Sequence, residues 1–187
     1  MAAPTDEERC AEFRRFQRIH EAFVAGDLAA LRAALDNPEE FPNGWAGSLI
    51  GMPLVYAIYW SPFAFIRELL DAGADPNGHD NDGFPPIMAA LSKLQRAPGA
   101  EVRDDVPGVV ALLLERGSDP NQRGINDYTP LHFVAGLGDE ALIALLLAHG
   151  ADPSARTRID DYETPGEVAL AAGHAAAAAL LKERERS

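Results

Sequence analysis

Apolar residues along this chain recur at helical spacing in short blocks that end at glycine. The clearest run extends from Asn126 to Pro153. Pro130 suits the first turn of a helix, because its missing N–H would have no partner there, and Thr129 precedes it as a cap. Gly138 and Gly150 predict two helix ends, where a left-handed residue is favoured. The second of these helices carries the apolar residues Leu142, Ile143, Leu145, Leu146 and Leu147.

The same pattern of helix-starting prolines and helix-ending glycines recurs along the chain and predicts a repeat. Pro53, Pro86, Pro130 and Pro165 follow one another at spacings of 33, 44 and 35 residues. One helix-ending sequence motif occurs three times: Gly73-Ala74-Asp75-Pro76-Asn77, Gly117-Ser118-Asp119-Pro120-Asn121 and Gly150-Ala151-Asp152-Pro153-Ser154. A pair of short helices cannot bury both of its apolar faces alone, so neighbouring copies are expected to stack.

The signature at the start of each unit resembles the ankyrin repeat. Thr129-Pro130-Leu131-His132 matches it fully, and weaker copies are Pro86-Ile87-Met88, Met52-Pro53-Leu54-Val55 and Thr164-Pro165-Gly166-Glu167. The resemblance extends from about Gln17 to Glu183. It implies an all-α solenoid of helix-turn-helix units with hairpin-like loops and four or five repeats, including divergent caps.

A single domain over residues 1–187 is predicted, in five parts. These are an N-terminal cap repeat with an irregular segment (1–51), repeat 2 (52–79), repeat 3 (80–123) with an insertion near 94–105, repeat 4 (124–156) and a C-terminal cap repeat (157–187). In the first part, Arg18-Ile19-His20 takes the place of Pro-Leu-His. The insertion is expected to be an exposed loop, either a contact site or a tolerated addition.

Composition narrows the class of partner. The formal net charge of −13 argues against nucleic acid or an anionic membrane as the main partner and permits a basic one. No apolar run approaches the ~20 residues of a membrane span, and the polar N-terminus carries no secretory signal. Cys10 is the one cysteine, which fits a reducing compartment. A cytoplasmic protein is therefore expected.

Sequence motifs of catalysis or metal binding are not found. There is no phosphate-binding loop, zinc spacing or nucleophile elbow. Asp80-Asn81-Asp82-Gly83 resembles the start of a calcium loop, but the twelfth position is Leu91 instead of a glutamate. His132 belongs to the repeat signature, and the resemblance implies that it bonds backbone between loops. We therefore predict no enzyme activity, no catalytic residue, no metal site and no cofactor.

The resemblance places function on a concave face made of loop tips and the ends of the first helices. The repeat register names the partner-binding positions as Tyr59, Trp60, Asn81, Asp82, Phe84, Ile125, Asn126, Tyr128, Leu137, Asp160, Asp161 and Glu163. Large apolar groups dominate interface energies, and acidic residues, Asp127 among them, lie beside them in sequence. The alternative is that some of these aromatic residues pack between loops or under segment 38–51.

The predicted function is protein binding through this acidic, aromatic-containing face, as an inhibitor or neutraliser of a more basic protein. The partner surface would be basic, or basic and apolar. Two alternatives stay open. One is an enzyme or enzyme subunit, with a pocket lined by His79, Asp80 and an irregular loop. The other is a structural protein that pairs its aromatic face with a second copy, although a monomer is favoured.

Overall fold

The computed structural model describes residues 5–47, 49–79, 84–94, 103–124, 127–158 and 162–186, and in these ranges it contains helices and no strands. The predicted all-α, ankyrin-repeat solenoid class is confirmed. The chain divides into two compact units, Met1–Gly78 and His79–Ser187. The helices of the described residues are α1 (Asp6–Ala25), α2 (Leu28–Ala34), α3 (Pro53–Trp60), α4 (Phe63–Asp71), α5 (Pro86–Ser92), α6 (Val106–Glu115), α7 (Pro130–Leu137), α8 (Glu140–Ala148), α9 (Pro165–Ala171) and α10 (Ala175–Arg184).

The described part of the first unit contains two helix pairs. Helix α1 packs against α2 and α3, and α3 packs against α4. Its core contains buried residues from all four helices: Ile19, Phe23, Leu31, Ile58, Phe65, Ile66 and Leu69.

Helix α1 begins at Asp6, before Gln17, near which the repeat resemblance begins. Thr5 and Glu8 form a capping box: the Glu8 N–H donates to Thr5 Oγ1 at 3.3 Å and the Thr5 N–H to Glu8 Oε2 at 2.6 Å. This reciprocal pair satisfies two amides of the first turn. In the sequence, the Thr-x-x-Glu spacing of Thr5 and Glu8 is the pattern typical of such a helix start.

Within its described residues, the second unit contains three helix pairs. Helices α5 and α6, α7 and α8, and α9 and α10 pack together, while α7 also contacts α5 and α9. The predicted cap at Thr129 is present, and Gly138 (φ 69°) and Gly150 (φ 89°) have the predicted left-handed backbone. The core contains buried Ile87, Leu91, Leu113, Leu131, Leu142, Ile143 and Leu146.

Asparagine side chains join the loops of adjacent repeats in both units. In the second unit, Asn121 Nδ2 donates to the Gly150 carbonyl at 3.0 Å, and Asn121 Oδ1 accepts from the Asp152 N–H at 2.7 Å. In the first unit, Asn43 makes the same two bonds, to the Gly73 carbonyl at 3.0 Å and the Asp75 N–H at 2.8 Å. The irregular segment 38–51 therefore supplies a repeat contact. Most of the insertion, residues 95–102, lies outside the described residues.

Candidate functional site

Five ring side chains of α1 and α3 form one contiguous cluster in the first unit, here called the aromatic patch: Phe13, Phe16, His20, Tyr56 and Trp60. The three residues of α1 are spaced by three and four, and the two of α3 by four. Such spacing places side chains on one face of a helix, so each helix contributes one row of rings.

His20 is at the centre of the aromatic patch. Its ring stacks on Phe16 with centroids 5.9 Å apart and meets Trp60 edge-on at 5.6 Å. Its Nδ1 is hydrogen-bonded to the Tyr56 hydroxyl at 2.8 Å. Tyr56 is buried, and burial raises the pKa of its phenol. The bond and the ring contacts hold the patch in one arrangement.

The outer edges of the aromatic patch are open to solvent. Phe13 is 55% exposed and Trp60 is 46% exposed, while Phe16 and His20 are half-buried. Helix α3 ends at Trp60, and the chain continues with Ser61 and then Pro62, which leaves the indole at the end of the helix. A contiguous apolar surface of this kind is typical of interaction sites.

The predicted partner-binding residues that the structure describes differ in their exposure to solvent. Trp60 and Leu137 are exposed, whereas Tyr59, Phe84, Tyr128 and Glu163 are half-buried. The remaining predicted positions lie outside the described residues: Asn81, Asp82, Ile125, Asn126, Asp160 and Asp161. Partner binding by this set stays a prediction. Sequence reasoning missed Phe13, Phe16 and His20 as neighbours of Trp60, because the first repeat lacks the signature that fixes the register.

Asp127 does not belong to an acidic surface, and the sequence interpretation is corrected here. Its side chain is 8% exposed and lies between two arginines. Arg123 Nη1 donates to Oδ2 at 2.6 Å, and Arg158 Nη2 donates to Oδ1 at 2.6 Å. The hydrogen bonds from Arg158, followed by the charge of Arg123, hold the pKa of this carboxyl below its usual range. Asp127 therefore ties two loops together.

His132 is buried and also joins adjacent loops. Its Nε2 is hydrogen-bonded to the Glu163 carbonyl at 3.0 Å and its Nδ1 to Thr129 Oγ1 at 2.8 Å. Burial lowers the pKa of this histidine. Tyr128 packs edge-on against its ring, with centroids 5.5 Å apart. The predicted structural role of His132 is confirmed, and Tyr128 is in part a loop-packing residue, as the alternative interpretation allows.

A metal-binding cluster or an enclosed cavity would point to functions other than protein binding. Among the described residues, no three His, Cys, Asp or Glu side chains lie close enough together to hold a metal ion. A cavity of about 180 Å³ lies beside the irregular segment of the first unit and is lined in part by Arg15, Asp36, Phe41 and Trp45. Arg15 and Asp36 form an ion pair at 2.5 Å there.

None of the helices in the described ranges is both long and apolar enough to cross a membrane.

Comparisons with known proteins find similarity to one repeat type. A family model described as "Ankyrin repeat" matches residues 126–158. The chain is similar to the "Ankyrin repeat, SAM and basic leucine zipper domain-containing protein 1" of Equus caballus, at 34% identity over 142 residues, which are 74% of this chain and 26% of that protein. For the Mus musculus protein of the same description, identity is 33% over 132 residues, with 68% and 25% covered. The chain thus spans about a quarter of the length of these relatives.

Proposed function

Because the chain belongs to the ankyrin repeat family, whose repeats act as protein-binding modules, we propose that it binds a partner protein without catalysing a reaction. The observation that supports this most directly is the aromatic patch, where Phe13 and Trp60 leave large apolar surfaces in solvent. Aromatic side chains dominate interface energies because they bury much area at little conformational cost.

The proposed partner surface is basic, or basic and apolar. The chain carries 29 acidic against 16 basic residues, and such an excess attracts a positively charged partner during encounter. An acidic module that covers a basic surface would act as an inhibitor or neutraliser of that protein, in the cytoplasm. The proposed contacts among the described residues remain the predicted positions Tyr59, Trp60, Phe84, Tyr128, Leu137 and Glu163.

The test is affinity capture from the source cell with matched variants, followed by mass spectrometry and titration of the purified partner. Trp60→Ala is expected to lower the affinity at least tenfold, because a buried aromatic anchor is worth about 1.4 kcal/mol or more. Leu170→Ala is the matched control, since Leu170 is an exposed apolar residue of the other unit. Equal capture by both variants, or a partner set that is acidic, would overturn the proposal.

Self-association is the second candidate function, and one observation favours it. A groove of about 370 Å³ on α9 and α10 is lined in part by Leu170, which is 66% exposed. Lys182 and Glu185 also line this groove, and antiparallel pairing of two copies would bring opposite charges together. Light scattering across concentration separates the candidates. Self-association requires a dimer that Leu170→Ala weakens and Trp60→Ala does not, and a monomer at every concentration would exclude it.

A further inference from the structure

The repeat formed by α9 and α10 exposes a large apolar side chain at a position that the other repeats bury. Leu170, five residues after the Pro165 that begins α9, is 66% exposed. The equivalent residues of the repeat register are all 0% exposed: Phe23, Ile58, Leu91 and Ala135. Contact with a further repeat would remove the apolar surface of Leu170 from water, which is favourable.

The first unit shows what this position of the repeat contacts. Phe23 packs against the next repeat, with its ring centroid 4.9 Å from that of Tyr56 and 5.9 Å from that of Phe65. The equivalents of Tyr56 and Phe65 in the first repeat lie 35 residues earlier and are Glu21 and Ala30. The surface that receives this position is therefore also present on α1 and α2.

Glu21 and Ala30 are exposed and line a groove of about 460 Å³ on α1 and α2. Four further alanines line it: Ala22, Ala25, Ala33 and Ala34. Because the first repeat has Ala30 where the next repeat has Phe65, its groove leaves room for a side chain that protrudes from another surface. Leu170 protrudes in this way from the groove on α9 and α10.

Charge does not oppose contact between these two grooves, although the chain as a whole carries a net charge of −13. The lining of the α9–α10 groove includes two basic and two acidic residues, which are Arg156, Lys182, Glu167 and Glu185. The lining of the α1–α2 groove includes one basic and two acidic residues, which are Arg18, Glu21 and Asp27. Repulsion between two copies is therefore weak where these nearly neutral surfaces meet.

We propose that α9 and α10 of one copy dock on α1 and α2 of a second copy, in the register that joins adjacent repeats within the chain. Leu170 of the first copy enters the groove beside Glu21 and Ala30 of the second. Such a contact joins two different surfaces, so it either closes a ring or continues to further copies. The inference rests on self-association, the second candidate function, and names α1 and α2, instead of a second α9–α10 groove, as the surface that Leu170 meets.

Two arginine variants, each of which blocks one surface, test this contact. Leu170→Arg blocks the α9–α10 surface and Ala30→Arg blocks the α1–α2 surface, and both residues are exposed. In sedimentation velocity, the mass of the wild type should rise toward millimolar concentration, and either variant should raise the dissociation constant at least tenfold. An equimolar mixture of the two variants should form a one-to-one dimer, because each chain keeps the surface that the other needs.

Matched controls separate the blocked surfaces from the added charge. Ala29→Arg and Ala176→Arg add the same charge at exposed positions of α2 and α10 that line neither groove, and they should associate as the wild type does. A fluorescent label on Cys10, which is exposed and lines neither groove, identifies the mixed dimer. Association of the mixture also requires that both variants are folded.

Three results would overturn the inference: a wild type that stays monomeric at millimolar concentration, undiminished association of Ala30→Arg, or a mixture that stays monomeric. The first would exclude self-association altogether, whereas the second would leave pairing of the α9–α10 groove with itself. None of them affects partner binding at the aromatic patch, because no residue of the patch lines either groove. Capture of a partner that depends on Trp60 therefore fails or succeeds separately.

Discussion

Asp127 shows how one side chain can hold a loop pair in this fold. Its backbone is left-handed (φ 62°), a conformation that asparagine and aspartate adopt more readily than most residues. The carboxylate accepts from the Arg158 N–H at 2.5 Å as well as from the guanidinium groups. The local conformation therefore places a buried acceptor between loops that lie 31 residues apart in sequence.

Asp127→Asn is expected to lower the free energy of unfolding by about 1–2 kcal/mol at pH 7, because charge-assisted hydrogen bonds are lost. The pKa of Asp127 is lowered in the folded state, so its contribution is complete above the unfolded pKa of about 3.9 and disappears as pH falls through the folded pKa. Urea denaturation at pH 7 and near pH 3 measures the difference between wild type and variant, which should shrink in acid.

Asp104→Asn is the control for Asp127→Asn, since it removes the same charge from an exposed position of the same unit. A stability difference that is equal for the two variants, or that grows toward acidic pH, would contradict the role of Asp127.

Gly138 is constrained by its backbone and by a neighbour. Its φ is 69°, and a Cβ at this position would lie 2.5 Å from His174 Nδ1. Gly150 has a similar φ of 89°, but no atom lies within 4 Å of its Cβ position. Gly138→Ala should therefore cost more than Gly150→Ala, for which left-handed strain of about 1 kcal/mol is expected. Thermal unfolding of Gly138→Ala, of Gly150→Ala and of the double variant Gly138→Ala/His174→Ala measures the extra loss of stability at Gly138. If the double variant is no more stable than Gly138→Ala, the clash with His174 does not cause this extra loss.

At the scale of the element, α1 has an exposed start that is held by a side-chain cap. The first turns of α1 extend beyond the repeat pattern, and helix starts that lack tertiary packing depend on side-chain caps. Thr5→Ala should fray the helix over residues 6–12 and reduce its amide protection against hydrogen exchange.

Glu7→Gln, which leaves the Thr5–Glu8 box intact, is the control for Thr5→Ala and should keep the protection of these amides. The same measurement should show unchanged protection in α7 and α8, which belong to the other unit. Equal exchange in wild type and Thr5→Ala would show that the cap does not stabilise the helix start.

At the scale of the whole molecule, charge is the property that most affects encounter with a partner. With a net charge of −13, association with a basic protein should slow by about tenfold or more between 50 and 500 mM salt, because screening shortens the range of attraction. Stopped-flow or surface-based kinetics with the captured partner measures this, and the dissociation rate should change less. An association rate that rises with salt would contradict a basic partner.

The sequence by itself determined the helix ends and much of the core in the regular repeats. Thr129, Pro130, Gly138 and Gly150 act through the backbone of their own turn, and their effect needs no distant contact. The apolar run of α8 likewise supplies core residues: Leu142, Ile143 and Leu146 are buried, while Leu145 and Leu147 are half-buried.

Tertiary structure decided what depends on neighbours far away in sequence. The pairing of Trp60 with His20, the use of Asn43 as a loop bridge, and the burial of Asp127 by Arg158 each join residues about 30 to 40 positions apart. An aspartate in a loop has the same local preferences whether it faces solvent or an arginine from the next repeat. Whether such a residue forms part of a surface or an internal ion pair follows only from how the repeats stack.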